Sequence, residues 1–136
     1  MKTVLITGAG GAIGCHILAH IMKNTDWRVV AIDSFKSEHK GAFDRITRMY
    51  KDHPEWKDRT RVFTLDLNAP FTPREINDIG DIDYILNLAS RSDVQNSIND
   101  PIPFVRNNTE LMLTMLEYAR EIKPEVFLHF STDEVY

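Results

Sequence analysis

The sequence is short of the features that mark several large protein classes. It has one cysteine, Cys15, in 136 residues. That excludes an internal disulfide and the paired cysteines of metal sites, and it fits a reducing compartment such as the cytoplasm. No apolar run approaches the roughly 18 residues that a membrane-spanning helix needs. Val4-Leu5-Ile6 is too short for the apolar part of a signal peptide, so none is expected. Positive charge is in deficit: Lys and Arg number 16 against 20 Asp and Glu, a net charge of -4. This leaves no electrostatic case for nucleic acid or an anionic membrane as a partner. Repeats, low-complexity tracts and an obvious linker are missing as well. His20, His39, His53 and His129 show no metal-like grouping, so no metal is expected.

What is present is ordinary soluble composition, 43% apolar and 26% charged, in a length that suits one domain over residues 1–136. Apolar runs alternate with amphipathic stretches. Val4-Leu5-Ile6, Arg28 to Ile32, Arg61 to Leu65, Tyr84 to Leu88 and Val126 to Phe130 predict about five strands. Ile13, Ile17, Leu18 and Ile21 predict a helix ending near Asn24. Phe43, Ile46, Met49 and Tyr50 predict another, stopped at His53-Pro54. Thr72-Pro73-Arg74-Glu75 has the form of a capping box with proline at the first helical position. Phe104, Leu111, Met115, Leu116, Ala119 and Ile122 stripe a long helix ending before Pro124. Strands with near-continuous apolar sequence between helices imply an α/β fold, a doubly wound parallel sheet of Rossmann type. Residues 34–60 are the most polar stretch and the expected mobile one.

Thr7-Gly8-Ala9-Gly10-Gly11-Ala12-Ile13-Gly14 falls between the first strand and the first helix. Glycines let the backbone turn sharply and approach a pyrophosphate, and the helix N-terminus beyond supplies N–H groups and positive dipole charge. Gly8, Gly11 and Gly14 have the spacing G-x-x-G-x-x-G. Asp33 ends the second strand about 20 residues further on, where a carboxylate accepts from an adenosine ribose 2′-hydroxyl and repels a 2′-phosphate, favouring NAD over NADP. The bland alternative is a tight turn and a surface aspartate. Asp66, in Leu65-Asp66-Leu67, either accepts from an adenine amino group or caps a turn. Cys15 either packs the first helix or, being near a helix N-terminus, is an acidic thiol.

Together these residues resemble the extended short-chain dehydrogenase/reductase family, the NAD-dependent epimerases and dehydratases of nucleotide sugars. The resemblance covers the whole chain, but only the N-terminal part of such an enzyme, so no substrate domain is expected within residues 1–136. Thr7 to Gly14 is similar to T-G-x-x-G-x-x-G. Asn87-Leu88-Ala89-Ser90 resembles H-L-A-A, with Asn87 in place of His, and Ser92, Val94, Ser97 and Ile98 continue the pattern. Asn108 with Leu116-Glu117-Tyr118-Ala119-Arg120 resembles the N…L-L-E-A-A-R helix, with Leu111-Met112 where Gly-Thr is usual. The resemblance implies cofactor contacts from Gly8, Gly11, Ala12, Ile13, Gly14, Asp33, Asp66, Leu67, Leu88, Ala89, Ser90 and Asn108.

Ser131-Thr132-Asp133-Glu134-Val135-Tyr136 is similar to the S-T-D-E-V-Y-G of dTDP-glucose 4,6-dehydratases. The resemblance implies that Thr132 orients the sugar 4-hydroxyl and that Asp133 and Glu134 act as acid and base in loss of water across C5 and C6. Adjacent carboxyls can titrate apart, which suits one acid and one base. The family's Tyr-x-x-x-Lys pair is missing: the fourth residue after Tyr50, Tyr84 and Tyr118 is Pro54, Leu88 and Ile122. Arg91 and Asp93 stand where the dehydratases commonly have Glu and His. Alternatives therefore stay open: an epimerase or decarboxylase of the same family, or a non-enzymatic NAD-binding module. The resemblance further implies a dTDP- or UDP-linked hexose as substrate and a homodimer formed in part by the long helix. The fifth strand is expected to present an apolar edge prone to self-association.

Overall fold

A computed structural model of the chain describes residues 1–36, 41–90 and 98–131. The strands are β1 (Thr3–Thr7), β2 (Arg28–Asp33), β3 (Thr60–Thr64), β4 (Tyr84–Asn87) and β5 (Val126–His129). Between them lie α1 (Ala12–Asn24), α2 (Ala42–Asp52), a 3₁₀ turn (Pro54–Asp58), α3 (Pro73–Ile79) and α4 (Pro101–Ile122). All four strand pairings are parallel, in the order β3-β2-β1-β4-β5. The chain winds outward from β1 in one direction, then returns to its other side. This is the doubly wound sheet that the strand pattern predicts, with a topological switch between β1 and β4.

Alternation along the central strands divides the core in two. Val4, Ile6, Val29 and Ala31 face α1 and α2, where they pack with Leu18, Ile21, Met22, Ile46 and Trp56. Leu5, Val30, Ile32 and Ile85 face the other way, against Ile79, Leu111, Met115 and Tyr118. Trp56 belongs to the 3₁₀ turn, which the sequence pattern does not mark. Beside it Arg59 donates to the carbonyls of Met22, Thr25 and Trp27 at 2.8–3.0 Å, satisfying the end of α1. The capping box at Thr72 forms as expected: Thr72 Oγ1 accepts from the Glu75 amide, and Glu75 Oε1 accepts from the Thr72 amide.

Three apolar positions depart from the expected stripes. Leu116 is exposed, and Tyr118 is buried in its place, because Leu111, Met115 and Tyr118 keep the 3–4 spacing of one helix face and Leu116 does not. Phe43 is exposed, since Ala42 and Ile46 are the pair that faces the sheet; its ring meets Phe35 edge-on. Ile13 is exposed in the first turn of α1. Covering of the sheet is also incomplete at its margins. Val62 on β3 and Val126 and Leu128 on β5 are exposed, while Val4 to Thr7 and Val29 to Ile32 are buried.

Candidate functional site

The parallel register brings the carboxyl ends of the strands into one row. Thr7 is paired with Ile32 and with Asn87, Asn87 with His129, and Asp33 with Thr64. The glycine loop leaves β1 at this row and feeds α1. Gly8 has φ +67°, the left-handed region that glycine tolerates best. A Cβ there would lie 3.0 Å from the backbone of Ala89. At Gly14 a Cβ would lie 2.3 Å from the Gly8 carbonyl oxygen, so loop and helix touch backbone to backbone. Gly11 is the N-cap of α1, and its amide donates to Gly8 O at 3.0 Å. That helix start has no side-chain cap and no acidic residue in its first turn. Ala12 and Ile13 beside it are exposed. A helix start of this kind offers N–H groups and positive dipole charge to an anion.

Asp33 ends β2 facing this loop. Its Oδ2 accepts from the Gly10 amide at 2.9 Å and its Oδ1 from the Phe35 amide at 2.8 Å. Arg45 of α2 donates to the Gly10 carbonyl at 2.9 Å. Gly10, outside the G-x-x-G-x-x-G spacing, is thus held from both sides. A Cβ on it would come 2.7 Å from the Ala42 side chain. Nothing in the spacing marks Arg45, whose partner is a main-chain oxygen remote in sequence. Only Gly10's place inside the loop could have drawn notice.

Asp66 and Leu67 follow β3. Asp66 Oδ1 accepts from the Asn68 amide at 2.9 Å, the turn-capping alternative, while its Oδ2 lies 3.5 Å from Lys36 Nζ. The Leu67 side chain is buried in the α3/α4 core, so only its backbone remains for a ligand. The Leu88 and Ala89 amides both donate to Thr7 Oγ1 at 3.1 Å, and Ser90 is exposed. Asn108 lies half-buried on α4, where its Oδ1 accepts from Asn107 Nδ2 at 3.1 Å. Cys15 is partly exposed, with its thiol directed to the Ala12 carbonyl at 3.3 Å. The structure therefore brings Gly8, Gly11, Gly14, Asp33, Leu88 and Ala89 to one rim, with Asp66 and Asn108 on neighbouring elements. Thr132, Asp133 and Glu134, and Arg91, Ser92, Asp93, Val94 and Ser97, lie outside the described residues. Among the described residues no group of three or more His, Cys, Asp or Glu could hold a metal ion.

A glycine turn on a bare helix N-terminus, an acid at the end of the next strand and a sheet that switches direction between them define a dinucleotide-binding fold of Rossmann type. The NAD dependent epimerase/dehydratase family model matches residues 4–136, and the chain belongs to that family. It is 33% identical over 135 residues to the low-salt glycan biosynthesis protein Agl12 of Haloferax volcanii, covering 98% of this chain and 40% of that protein. It is 30% identical to the dTDP-glucose 4,6-dehydratase of Neisseria meningitidis serogroup B, covering 100% of this chain and 39% of the relative. The UDP-glucuronic acid 4-epimerase of Bacillus cereus, solved with UDP-glucuronic acid and NAD, superposes with a TM-score of 0.82 at 30% identity, over 99% of this chain and 41% of that one. The chain thus spans about two fifths of the length of the curated relatives it matches. No helix among the described residues is long and apolar enough to cross a membrane.

Proposed function

We propose that this chain is the NAD-binding part of a nucleotide-sugar 4,6-dehydratase-like enzyme, with residues 1–136 forming its dinucleotide domain. The observation that carries the cofactor is the backbone contact of Gly8 and Gly14 over the uncapped start of α1, with Asp33 beside it. A side chain at Gly8 would meet the Ala89 backbone and one at Gly14 the Gly8 carbonyl, so either would distort the turn that sets the loop over the start of α1. The Asp33 carboxylate already accepts two backbone N–H groups, and its further lone pairs suit a ribose hydroxyl. NAD, when bound, supplies the hydride acceptor for transient oxidation at the sugar C4. Thr132 would hold the 4-hydroxyl, and Asp133 and Glu134 would move the protons in loss of water across C5–C6. The support for these three roles is the S-T-D-E-V-Y ending and the match to dTDP-glucose 4,6-dehydratases.

Titration calorimetry with NAD tests the cofactor. Saturable binding is expected, and no heat at millimolar NAD would reject it. No turnover is expected from the 136 residues, which contain no Tyr-x-x-x-Lys pair. A full-length enzyme that carries this segment is expected to convert dTDP-glucose to the 4-keto-6-deoxy sugar.

A 4-epimerase is the second reading. Asn87, Arg91 and Asp93 depart from the dehydratase pattern, and the match to the UDP-glucuronic acid 4-epimerase is as strong as to the dehydratases. Inversion of a UDP-sugar at C4 with no loss of water would select it. For assembly, Ile102, Val105, Leu113 and Leu116 form an exposed apolar line on α4, which supports a homodimer through that helix. The lone cysteine supports a cytoplasmic setting.

A further inference from the structure

Across the switch between β1, β4 and β5, three side chains at one register level are linked. Thr7 Oγ1 lies 2.7 Å from Asn87 Oδ1, and Asn87 Nδ2 lies 3.3 Å from His129 Nδ1 and 3.5 Å from the Met112 sulfur. Thr7 and Asn87 are buried, and His129 is exposed. The proton inventory of this row has one solution. Thr7 Oγ1 receives the Leu88 and Ala89 amides, which occupy its two lone pairs. Its single hydrogen must then go to Asn87, so the atom facing Thr7 is the amide oxygen. The Asn87 NH₂ is left to face His129 and Met112, and both of its hydrogens are donated. His129 Nδ1 can only accept, which requires the neutral ring with its hydrogen on Nε2.

We propose that Asn87 is a positioning residue that fixes His129 as the Nε2–H tautomer and ties that ring, through Thr7, to the start of the glycine loop. His129 is then a hydrogen-bond donor at the carboxyl rim, suited to a ligand oxygen, and not a proton acceptor there. Asn87 is required because it combines an acceptor for Thr7 with a donor for His129; an aspartate offers only the first. The tie to the loop rests on the NAD-binding reading above, whereas the tautomer does not.

Long-range ¹H–¹⁵N correlation spectra of the ¹⁵N-labelled chain read the tautomer directly. In the wild type Nδ1 of His129 is expected at the frequency of an unprotonated ring nitrogen and Nε2 at that of a protonated one. Asn87→Asp keeps the acceptor for Thr7 and is expected to invert the pattern by accepting from Nδ1–H. A wild-type ring protonated on Nδ1 would overturn the proposal, and so would an Asn87→Asp ring that keeps the wild-type tautomer. If Asn87→Asp does not fold, the wild-type spectrum and a His129→Gln variant decide. In that variant the Asn87 NH₂ resonances are expected to shift while the fold is kept, and unmoved resonances would contradict the link. Addition of NAD is expected to shift the His129 ring signals. If NAD binds and they stay still, the coupling to the loop is overturned. If NAD does not bind, the cofactor reading fails and the tautomer result stands.

Discussion

The Asp33 carboxylate is bonded to the Gly10 amide at 2.9 Å, so the acid that would read the ribose also holds the loop that would hold the phosphates. The two tasks cannot be separated by one substitution at this position. Asp33→Ala is expected to weaken NAD by about 10- to 100-fold, since loss of a charge-assisted bond is worth roughly 1.5–3 kcal/mol. Asp33→Asn is expected to weaken NAD less and to narrow the preference over NADP, because the repulsion of a 2′-phosphate goes with the charge. Calorimetric titration of both cofactors against both variants checks the ordering.

Gly14 and Gly80 make a matched pair for testing the close approach. A Cβ at Gly14 would stand 2.3 Å from the Gly8 carbonyl, a contact that requires the backbone to move. Gly14→Ala is expected to destabilise by about 1–3 kcal/mol, as overpacking does, and to abolish measurable NAD binding. Gly80 has φ +78° with nothing within 4 Å of a Cβ. Gly80→Ala is expected to cost about 1–3 kcal/mol from backbone strain alone, since φ +78° with ψ -157° is a conformation almost confined to glycine, and to leave NAD affinity unchanged. Thermal unfolding and titration of the two variants separate stability from site geometry.

Much of this arrangement was legible in the residues. The five strands follow from apolar runs whose flanks break them, and the loop follows from glycines with a strand before and a helix after. What stayed hidden depends on partners distant in sequence. Arg45 reads as one more charge on an amphipathic helix until the fold sets it against the Gly10 carbonyl. Asn87 is notable in the sequence only as a departure from the family's histidine. Its meaning comes from register, which lines it up with Thr7 on one side and His129 on the other. Trp56 carries no signal of its burial in the sequence, because a 3₁₀ turn has no periodicity to read over five residues. Leu116 and Phe43 are apolar yet exposed, because an apolar residue need not be a buried one and each lies off the helix face that packs on the sheet.

Tyr118 carries a stability prediction. Its side chain is buried against Phe71, at 4.6 Å between ring centroids, and its hydroxyl has no hydrogen-bond partner among the described residues. A buried unpaired hydroxyl costs about 1–3 kcal/mol, so Tyr118→Phe is expected to raise stability and the melting temperature. Burial, with the Glu121 carboxylate nearby, pushes the phenol from 10.0 up to about 12. The folded state therefore keeps this proton where the unfolded chain releases it. The stability so contributed is complete below pH 10 and is lost as pH rises to about 12. Tyr118→Phe is expected to lose less stability over that interval than the wild type. Burial raises Tyr50 too, so some alkaline loss should remain. Urea unfolding of both proteins at pH 8, 10 and 12 measures the difference.

The exposed line on α4 and the β5 margin offer two routes to association, and they differ in kind. Leu113 and Leu116 are 56% and 44% exposed on a helix whose opposite face is buried, the form of a helix–helix interface. Val126 and Leu128, at 48% and 49%, lie on the strand that ends the sheet order among the described residues, and an edge of that kind can pair with another chain. Leu113→Glu with Leu116→Lys is expected to shift a dimer to monomer, by 10-fold or more in dissociation constant if each buried leucine is worth about 1.5–3 kcal/mol. Val126→Lys with Leu128→Glu is expected instead to suppress slow, concentration-dependent aggregation and to leave a helix-mediated dimer in place. Sedimentation velocity over a hundredfold range of concentration distinguishes them. A dimer that survives the α4 pair and dissociates with the β5 pair would transfer the interface to the strand.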